Sequence, residues 1–492
     1  MDDPRLVYGT DAQVEETLRT IADLGVDRVR VSVFWKLVAP RPESKGRPDF
    51  DAADPAAYPS GSWHHYDRLV RGAERHGLDL LFSITGPAPL WATGTPERAS
   101  VEKTWFPSPA EYGLFTRAVG RRYGGGYAAG GESPLPRVTA WSLWNEPNHP
   151  GWLTPQWLGR SRPWPAAPHH YRAMAGAAWN ALRETGHESD IVLIGETAPR
   201  GWRGRKLISA LRPLEFAREL YCLDARGRPF TGGSARTRGC PANAEERRAF
   251  VASNPALFGA TGWAHHAYGF RGRPGNAPVS HVDDAQLAEL PSLARTLDRA
   301  LARYGQGHRL HLWITEYGYE TSPPDPFSGV SWPRQAAYLN EAAYIAYRNP
   351  RVASMAQFLL YDDVPWAHFP AGERRHWATF QTGLITAGGV RKPSFDAYAL
   401  PIHAAPARLR RGRRVRVFGQ SRGAASAARV EFSAARGGAR VSTVARASAN
   451  GRGFVEVSLR PRTSGHYRIV WSDPATGQER ATRPVLVRVG RR

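Results

Sequence analysis

The chain has 492 residues, of which 42% are hydrophobic and 22% are charged, and its formal net charge at pH 7 is +22. This length is enough for a large domain and a small second one, and the composition excludes a disordered or fibrous protein. No apolar run in the sequence reaches membrane-spanning length, so we predict no membrane span.

Periodic apolar residues predict alternating strands and helices over most of the chain. The predicted strands are residues 27–35, 78–84, 138–143, 191–195, 261–268, 309–314 and 352–360. The predicted helices are residues 11–24, 109–123, 169–184, 290–301, 334–348 and 392–400. Links from helix to strand are short and links from strand to helix are long. This alternation predicts an α/β fold with parallel strands and helical crossovers.

Two of the predicted strands run into a glutamate. The apolar residues before Asn145 and Glu146 end at Pro147, because proline removes a donor from the strand ladder. A second apolar strand runs into Glu316, which aromatic residues and a glycine follow. A turn that caps the strand is the alternative for Asn145 and Glu146 taken alone. Two carboxylates on separate strand ends are the minimum equipment for glycoside hydrolysis.

Two segments carry a family resemblance, Trp144-Asn145-Glu146-Pro147 and Trp313-Ile314-Thr315-Glu316-Tyr317-Gly318. They resemble the acid/base and nucleophile motifs of the clan A retaining glycoside hydrolases, and within that clan the family 5 and family 39 groups. The resemblance covers roughly residues 2–398. It implies a TIM (β/α)8 barrel, with Glu146 as acid/base after strand four and Glu316 as nucleophile after strand seven.

The resemblance also implies roles for neighbouring side chains. Arg30 resembles the arginine that holds the nucleophile ionised, and Asn145 resembles the residue that donates to the sugar 2-hydroxyl. His266 and Tyr268 match a His-X-Tyr motif on strand six, so Tyr268 is expected to bond Glu316 and His266 to line the sugar site. An acid/base must be protonated when substrate binds, so we expect burial and the second carboxylate to raise the pKa of Glu146.

Further candidates are less closely tied to the motifs. Glu196 ends a predicted strand, where it either binds substrate or caps a loop, and we prefer the cap. Indoles in the long loops, among them Trp91 and Trp377, present flat apolar faces to sugars; the alternative is that they staple the loops. Tyr361, Asp362 and Asp363 end strand eight, where the clan often has a tryptophan, and we expect one of them, with Tyr361 as our candidate, near the sugar. Trp366 and Trp377 are alternatives for that tryptophan.

The start of the chain and its two cysteines bear on localisation. Only residues 1–8 can supply strand one, and Pro4 interrupts them, so we expect a truncated strand and a natural precursor that begins upstream with a signal peptide. Cys222 and Cys240 lie in one polar stretch. We prefer a disulfide between them, which predicts a secreted or cell-surface protein; the alternative is two unrelated thiols.

The chain changes character after the predicted barrel domain, residues 1–403. Residues 406–492 contain short alternating runs between Gly, Ser and Asn, which predict a smaller all-β sandwich that resembles the immunoglobulin-like modules of secreted glycosidases. This second domain carries 20 arginines, no lysine and four acidic residues, a net charge of +16. We prefer a solvated, arginine-rich surface; the alternative is contact with an anionic polymer or the cell wall. No motif for specific nucleic-acid binding accompanies the charge.

The sequence contains no Cys/His cluster with metal-ligand spacing and no glycine-rich phosphate loop, so we predict neither a metal nor a cofactor. The function predicted from these residues and the resemblance is a retaining O-glycoside hydrolase with a carbohydrate substrate. The alternative is a non-catalytic carbohydrate- or cell-wall-binding protein on a degenerate barrel.

Overall fold

The computed structural model describes residues 1–128, 130–131, 133–276, 279–422, 427–435, 440–472 and 477–490. The strands of its first part are Arg28–Phe34 (β1), Asp79–Thr85 (β2), Ala140–Leu143 (β3), Trp157–Leu158 (β4), Trp164–Pro165 (β5), Ile191–Thr197 (β6), Gly262–His266 (β7), His311–Tyr317 (β8) and Val352–Gln357 (β9). Seven of them form one parallel sheet in the order β1-β2-β3-β6-β7-β8-β9, while β4 and β5 pair separately. Each of the seven matches a predicted strand.

Helices connect the parallel strands. The α-helices are Arg5–Tyr8 (α1), Asp11–Asp23 (α2), Trp35–Val38 (α3), His64–Arg75 (α4), Pro109–Arg122 (α5), Ala167–Glu184 (α6), Pro213–Leu220 (α7), Gly232–Thr237 (α8), Ala244–Ser253 (α9), Pro255–Gly259 (α10), Leu290–Arg303 (α11), Trp332–Arg348 (α12) and Pro393–Ala399 (α13). Short 3-10 helices lie at Pro55–Ala57, Leu90–Ala92, Ala99–Thr104, Pro274–Asn276 and Leu287–Glu289. The long helices pack through apolar stripes; in α11 this stripe consists of Leu290, Leu293, Leu297 and Leu301, all buried.

The first residues of the chain join the two edges of the sheet. The Arg30 amide donates to the Met1 carbonyl over 2.7 Å, and the Asp2 amide donates to the Gln357 carbonyl over 3.0 Å. Met1 to Asp3 therefore occupy the position of strand one between β1 and β9, and α1 begins directly after Pro4. The chain forms a (β/α)8 barrel, as predicted. The expected upstream strand and signal peptide stay a prediction.

In the described residues of the C-terminal part, all regular elements are strands. They are Ile402–Ala405 (β10), Arg408–Arg410 (β11), Val415–Gln420 (β12), Ala427–Ala434 (β13), Val441–Ser448 (β14), Phe454–Leu459 (β15), Gly465–Ser472 (β16), Glu479–Ala481 (β17) and Val485–Gly490 (β18). They form a three-stranded and a six-stranded sheet that share one apolar core. Since β10 already pairs with β12, this part begins before residue 406. The division into two domains at residues 403 and 406, and the immunoglobulin-like character, stay predictions.

The all-β part packs at the helix-to-strand end of the barrel. Tyr347, near the end of α12, packs its ring at a tilt against Phe418 and Phe454, at centroid distances of 5.0 Å. Gly25, between α2 and β1, lies so close to Arg422 that a Cβ at this glycine would stand 2.4 Å from the arginine Cβ. The opposite end of the barrel, where the strands run into the long loops, stays clear of these contacts.

Candidate active site

Arg30 is the centre of the polar cluster in the barrel mouth. Its guanidinium is 2% exposed and pairs with three carboxylates, Asp2 at 2.6 Å, Glu196 at 2.6 Å and Glu316 at 2.9 Å. Burial disfavours a charged guanidinium, but the three carboxylates around it raise the pKa of Arg30 above its usual value. Because β1 alternates its side chains, Arg30 points into the barrel and holds residues from four other strand positions together.

The fourth donor contact of Arg30 fixes the amide of Asn145. The guanidinium Nη2 donates to Asn145 Oδ1 over 2.6 Å. A guanidinium has no acceptor, so the amide oxygen of Asn145 must face Arg30 and its NH2 group must face away. The amide nitrogen of Asn145 is therefore a donor toward the barrel mouth, which agrees with the role that the resemblance implies.

Glu146 and Glu316 meet at one imidazole. His266 Nδ1 lies 2.8 Å from Glu146 Oε1 and 3.3 Å from Glu316 Oε2. One oxygen of each carboxyl therefore lies within 3.3 Å of the same imidazole nitrogen. The side chains are 17% and 12% exposed, so both carboxyls are open to a substrate.

The nucleophile candidate is held at both of its oxygens. Tyr268 donates its hydroxyl to Glu316 Oε2 over 2.8 Å, and Arg30 pairs with Oε1. The structure thus brings together Arg30, Asn145, Glu146, His266, Tyr268 and Glu316, six of the residues that the sequence nominated. His265, one residue before His266, points out of the barrel to Thr197 and to the Ala285 carbonyl, as strand alternation predicts.

The pKa shifts differ from the expectation for Glu146. Burial disfavours its carboxylate, but the hydrogen bond and positive charge of His266 lower the pKa of Glu146. The expected rise is therefore wrong, because the sequence did not show which carboxylate the imidazole would contact. Burial, together with Glu146 and Asp2, raises the pKa of Glu316 despite His266 and Arg30.

His266 is a cation in this environment. Burial favours the neutral ring, but Glu316, Glu146 and Glu196 surround it and raise the pKa of His266 to about 10. Its Nδ1 faces the two exposed carboxyls, and its Nε2 lies 3.6 Å from Glu196 Oε1. A proton on Nδ1 is thus shared across a 2.8 Å contact with Glu146.

Glu196 is an internal counter-ion, so the preferred loop cap and the substrate-binding alternative are both wrong. Its carboxylate is fully buried and accepts from Arg30 Nε, Ser83 Oγ and Ser142 Oγ. Burial alone would raise the pKa of Glu196, but Arg30, His266 and Ser142 lower it to about 2.

The backbone at the site adopts sparsely populated conformations. The φ angles of Trp144, Glu146 and Glu196 are 72°, 37° and 42°. A non-glycine residue in this region costs of order 1–3 kcal/mol and persists where surrounding structure enforces it, often at functional sites. The Glu146 amide donates to the Glu196 carbonyl over 3.0 Å, which ties the two strand exits together.

Three predicted substrate contacts are not brought to the carboxylate pair. Trp91 is buried in a loop core, where it packs edge-on against Trp35 and donates to the Pro40 carbonyl. Tyr361 points outward, with the Arg5 guanidinium 3.5 Å from its ring centroid. Trp377 donates to the Ala371 carbonyl within its own loop. Among the described residues, the structure thus places Trp91 and Tyr361 away from the carboxylate pair and shows no contact of Trp377 with it, and sugar contacts of these residues stay predictions.

The aromatic residue beside the site after β9 is Phe358, which the sequence analysis missed. Its ring stands edge-on to Tyr268 at 6.2 Å and edge-on to Phe380 at 5.3 Å. The expected tryptophan of this position, for which Trp366 and Trp377 were alternatives, is therefore replaced by a phenylalanine. Asp2, the other missed residue, gave no signal because strand one is only three residues long.

A row of aromatic rings lines the mouth on the side of Glu146. Phe34, at the end of β1, lies between Tyr8 at 6.1 Å and Trp152 at 6.5 Å, with interplanar angles of 25° and 12°. We call these three residues the aromatic row. Tyr8 is 60% exposed, and Phe34 and Trp152 are half-buried. Two backbone hydrogen bonds connect Trp152 to the catalytic candidate Glu146. The His149 amide donates to the Glu146 carbonyl, and the Trp152 amide donates to the His149 carbonyl.

Two further observations concern the whole chain. Cys222 and Cys240 form the predicted disulfide, with an S–S distance of 2.10 Å. Among the helices of the described residues, none has the length and apolar character needed to cross a membrane.

Comparison with known proteins gives a fold-level likeness. No family model and no curated protein matches the chain. A glucosidase from Croceicoccus marinus is 14% identical, with 90% of this chain and 89% of that chain covered and a TM-score of 0.48. A GH5_18 protein from Bifidobacterium longum subsp. infantis is 13% identical over 80% of this chain and 74% of that chain, with a TM-score of 0.45. The family 1 β-glucosidase from Thermotoga maritima is 14% identical, with 80% of this chain and 86% of that chain covered and a TM-score of 0.46. Likeness at this level leaves the function to be argued from the site.

Proposed function

We propose that this protein is a retaining O-glycoside hydrolase that acts on a poly- or oligosaccharide by double displacement. The observation that carries the proposal is the pair Glu146 and Glu316, whose nearest oxygens share one imidazole nitrogen. Two carboxyls that converge on one nitrogen favour the close spacing of retaining enzymes, about 5–5.5 Å, in which one carboxylate attacks the sugar and forms a glycosyl-enzyme ester.

Glu316 is the proposed nucleophile. Arg30 and Tyr268 each hold one of its oxygens, and both contacts favour the ionised form that attacks the anomeric carbon. The same contacts fix the orientation of the carboxylate before substrate binds, which lowers the cost of reaching the transition state. Asn145, with its amide oxygen on Arg30, donates its N–H to the sugar 2-hydroxyl.

Glu146 is the proposed acid/base, and His266 supplies the proton that it delivers. The surrounding carboxylates raise the pKa of His266 to about 10, and the imidazole lowers the pKa of Glu146, so both shifts favour the proton on His266. As Glu316 attacks the anomeric carbon, the bond from that carbon to the leaving oxygen breaks, and Glu316 loses the negative charge that stabilises the imidazolium. In the same step the proton passes across the 2.8 Å contact to Glu146 and on to the leaving oxygen. In the second step, Glu146 takes a proton from a water whose oxygen attacks the anomeric carbon; the ester bond breaks, Glu316 is released as a carboxylate, and the proton returns from Glu146 to His266.

The aromatic row supports an extended substrate rather than a single sugar. Its three rings lie nearly parallel along the rim, and apolar ring faces pack against the C–H faces of sugars. A chain of sugar units on this row enters the site beside Glu146, where the leaving group departs.

Secretion and the basic all-β part complete the proposal. The disulfide between Cys222 and Cys240 supports an extracellular site of action.

The basic surface of the all-β part supports contact with an anionic polymer. Arg408 and Arg488 stand directly opposite each other on β11 and β18, both exposed. Like charges at such positions repel, and an anionic polymer or cell-wall component would relieve that repulsion.

The test is hydrolysis of a panel of aryl glycosides and polysaccharides, with the first-formed anomer observed by NMR. We expect a product of the same anomeric configuration as the substrate and loss of turnover in Glu316→Gln. Glu320→Gln is the matched control, because Glu320 lies four residues later and bonds Ser328 instead. An inverted product contradicts double displacement. Binding of polysaccharide without any turnover favours the non-catalytic alternative.

A further inference from the structure

We propose that Asp2 is a specificity-determining residue, whose carboxylate accepts hydrogen bonds from hydroxyl groups of the neutral sugar that Glu316 attacks. This inference rests on the proposed glycosidase function and names the sugar class for the same site. It starts from the position of Asp2, which is the contribution of strand one to the barrel mouth.

Asp2 stands beside the nucleophile. Arg30 Nη1 lies 2.6 Å from Asp2 Oδ2 and 2.9 Å from Glu316 Oε1, so the two carboxylates share a single guanidinium nitrogen. The Asp2 amide bonds the Gln357 carbonyl and the neighbouring Met1 carbonyl bonds the Arg30 amide, so the strand ladder holds the side chain in place. A group positioned this rigidly next to the reacting carbon can read the hydroxyls of one sugar ring.

Asp2 has acceptor capacity left, in contrast to Asp3. Among the contacts of the described residues, Asp2 accepts one hydrogen bond, at Oδ2, and its side chain is 13% exposed. Asp3 points to the outer side of the barrel, is 2% exposed, and uses both oxygens on the amides of Arg5 and Tyr361. Asp3 is therefore a structural carboxylate, whereas Asp2 presents a free oxygen to the mouth.

The charge of the mouth selects the sugar class. Four carboxylates, Asp2, Glu146, Glu196 and Glu316, surround two cations, Arg30 and His266. The carboxylate of a uronic acid would meet this excess of negative charge in a partly buried site, where repulsion is poorly screened. Hydroxyl groups, in contrast, donate to a carboxylate, and a site built for such a bond discriminates strongly against an analogue that lacks the hydroxyl. The sugar is therefore neutral and hydroxyl-bearing at the positions that reach Asp2.

The experiment is a double-mutant cycle between the enzyme and its substrate. The probes are the aryl glycoside that the wild type hydrolyses best, its 3-, 4- and 6-deoxy analogues, and the corresponding aryl uronide. For the parent glycoside we expect Asp2→Ala to lower kcat/KM about 10- to 100-fold, the size of a lost hydrogen bond to a charged group. For one deoxy analogue, Asp2→Ala should lower kcat/KM by a clearly smaller factor than for the parent, because the hydroxyl that Asp2 binds is already missing and only the effect through Arg30 remains. Asp2→Asn should raise the uronide-to-parent ratio of kcat/KM.

Controls separate this inference from other causes. Asp3→Asn changes the same segment on its outer side and should show no coupling to any deoxy analogue. Melting temperatures show that each variant is folded at the assay temperature. If Asp2→Ala lowers kcat/KM by the same factor for the parent and every analogue, Asp2 acts only through Arg30 and the inference is wrong. If the wild type hydrolyses no glycoside at all, the proposed function itself fails.

Discussion

Replacing Glu196 by glutamine removes one charge from the centre of the site while its shape is kept. The surroundings lower the pKa of Glu196 from 4.5 to about 2, which corresponds to about 3 kcal/mol of native-state stabilisation at neutral pH. Breaking a buried ion pair costs about 3–5 kcal/mol, because the remaining partner, here Arg30, is left under-compensated. We therefore expect Glu196→Gln to lower the free energy of unfolding by about 3 kcal/mol at pH 7.

The pH dependence gives this prediction its sign. A carboxylate with a depressed folded-state pKa stabilises fully above its unfolded pKa, and the contribution is lost as the pH falls from about 4.5 toward about 2. The urea-unfolding free energies of Glu196→Gln and wild type should thus differ fully at pH 7, and the gap should close progressively as the pH falls from about 4.5 to about 2. Glu188→Gln, at an exposed turn, is the control and should not differ from wild type. A stability gap that is absent, or independent of pH, would refute the ion-pair argument.

Three further predictions concern the aromatic row, the disulfide and the proton store. Trp152→Ala should lower kcat/KM about fivefold for oligosaccharides and leave aryl monoglycosides unchanged, since a lost stacking contact is worth about 1 kcal/mol. Equal losses on both substrates would contradict the role of the aromatic row. Replacing Cys222 and Cys240 by serine should lower the free energy of unfolding, measured in urea, by about 3 kcal/mol, because the disulfide closes a loop with a sequence separation of 18. Unchanged stability would contradict this prediction. Because the pKa of His266 is raised to about 10, kcat/KM should fall near that pH. His266→Asn should move this fall to lower pH, and an unmoved limb would exclude His266 as the proton store.

The strand-end residues were predictable because a parallel barrel brings the carboxyl ends of all its strands to one rim. Glu146 and Glu316 lie 170 positions apart in the sequence, yet each follows an apolar strand and so must reach the same mouth. Arg30 and His266 were expected from the family resemblance, and strand alternation explains why both point inward. By the same alternation, the neighbouring His265 points out of the barrel.

The structure departs from the sequence expectations where the chain leaves a regular strand. Tyr361 was expected in the site because the predicted strand extended to residue 360, but β9 ends at Gln357 and Phe358 turns to Tyr268 instead. The direction in which the Trp91 side chain points depends on how its loop packs, and the spacing of residues in the sequence carries no information on that packing. Glu196 became an internal counter-ion because the register shifts between Gly195 and Thr197, and such an irregularity has no sequence signature.

The electrostatic error has a different origin. The expected rise in the pKa of Glu146 followed from burial and a second carboxylate, and both are present. The contact between His266 Nδ1 and Glu146 Oε1 outweighs them, and this contact depends on the rotation of one imidazole ring. The sequence can therefore predict which charged residues lie in the site. The direction of each pKa shift, in contrast, depends on the distances between these residues.

The most direct test of the central claim assigns the two glutamates by the stereochemistry of azide rescue. In Glu316→Ala, azide replaces the nucleophile and should give a glycosyl azide of inverted configuration in one displacement. In Glu146→Ala, the glycosyl-enzyme still forms from an activated aryl glycoside, and azide should give a product of retained configuration. Retained product from Glu316→Ala together with inverted product from Glu146→Ala would reverse the two roles and contradict the account given of Arg30, Tyr268 and His266.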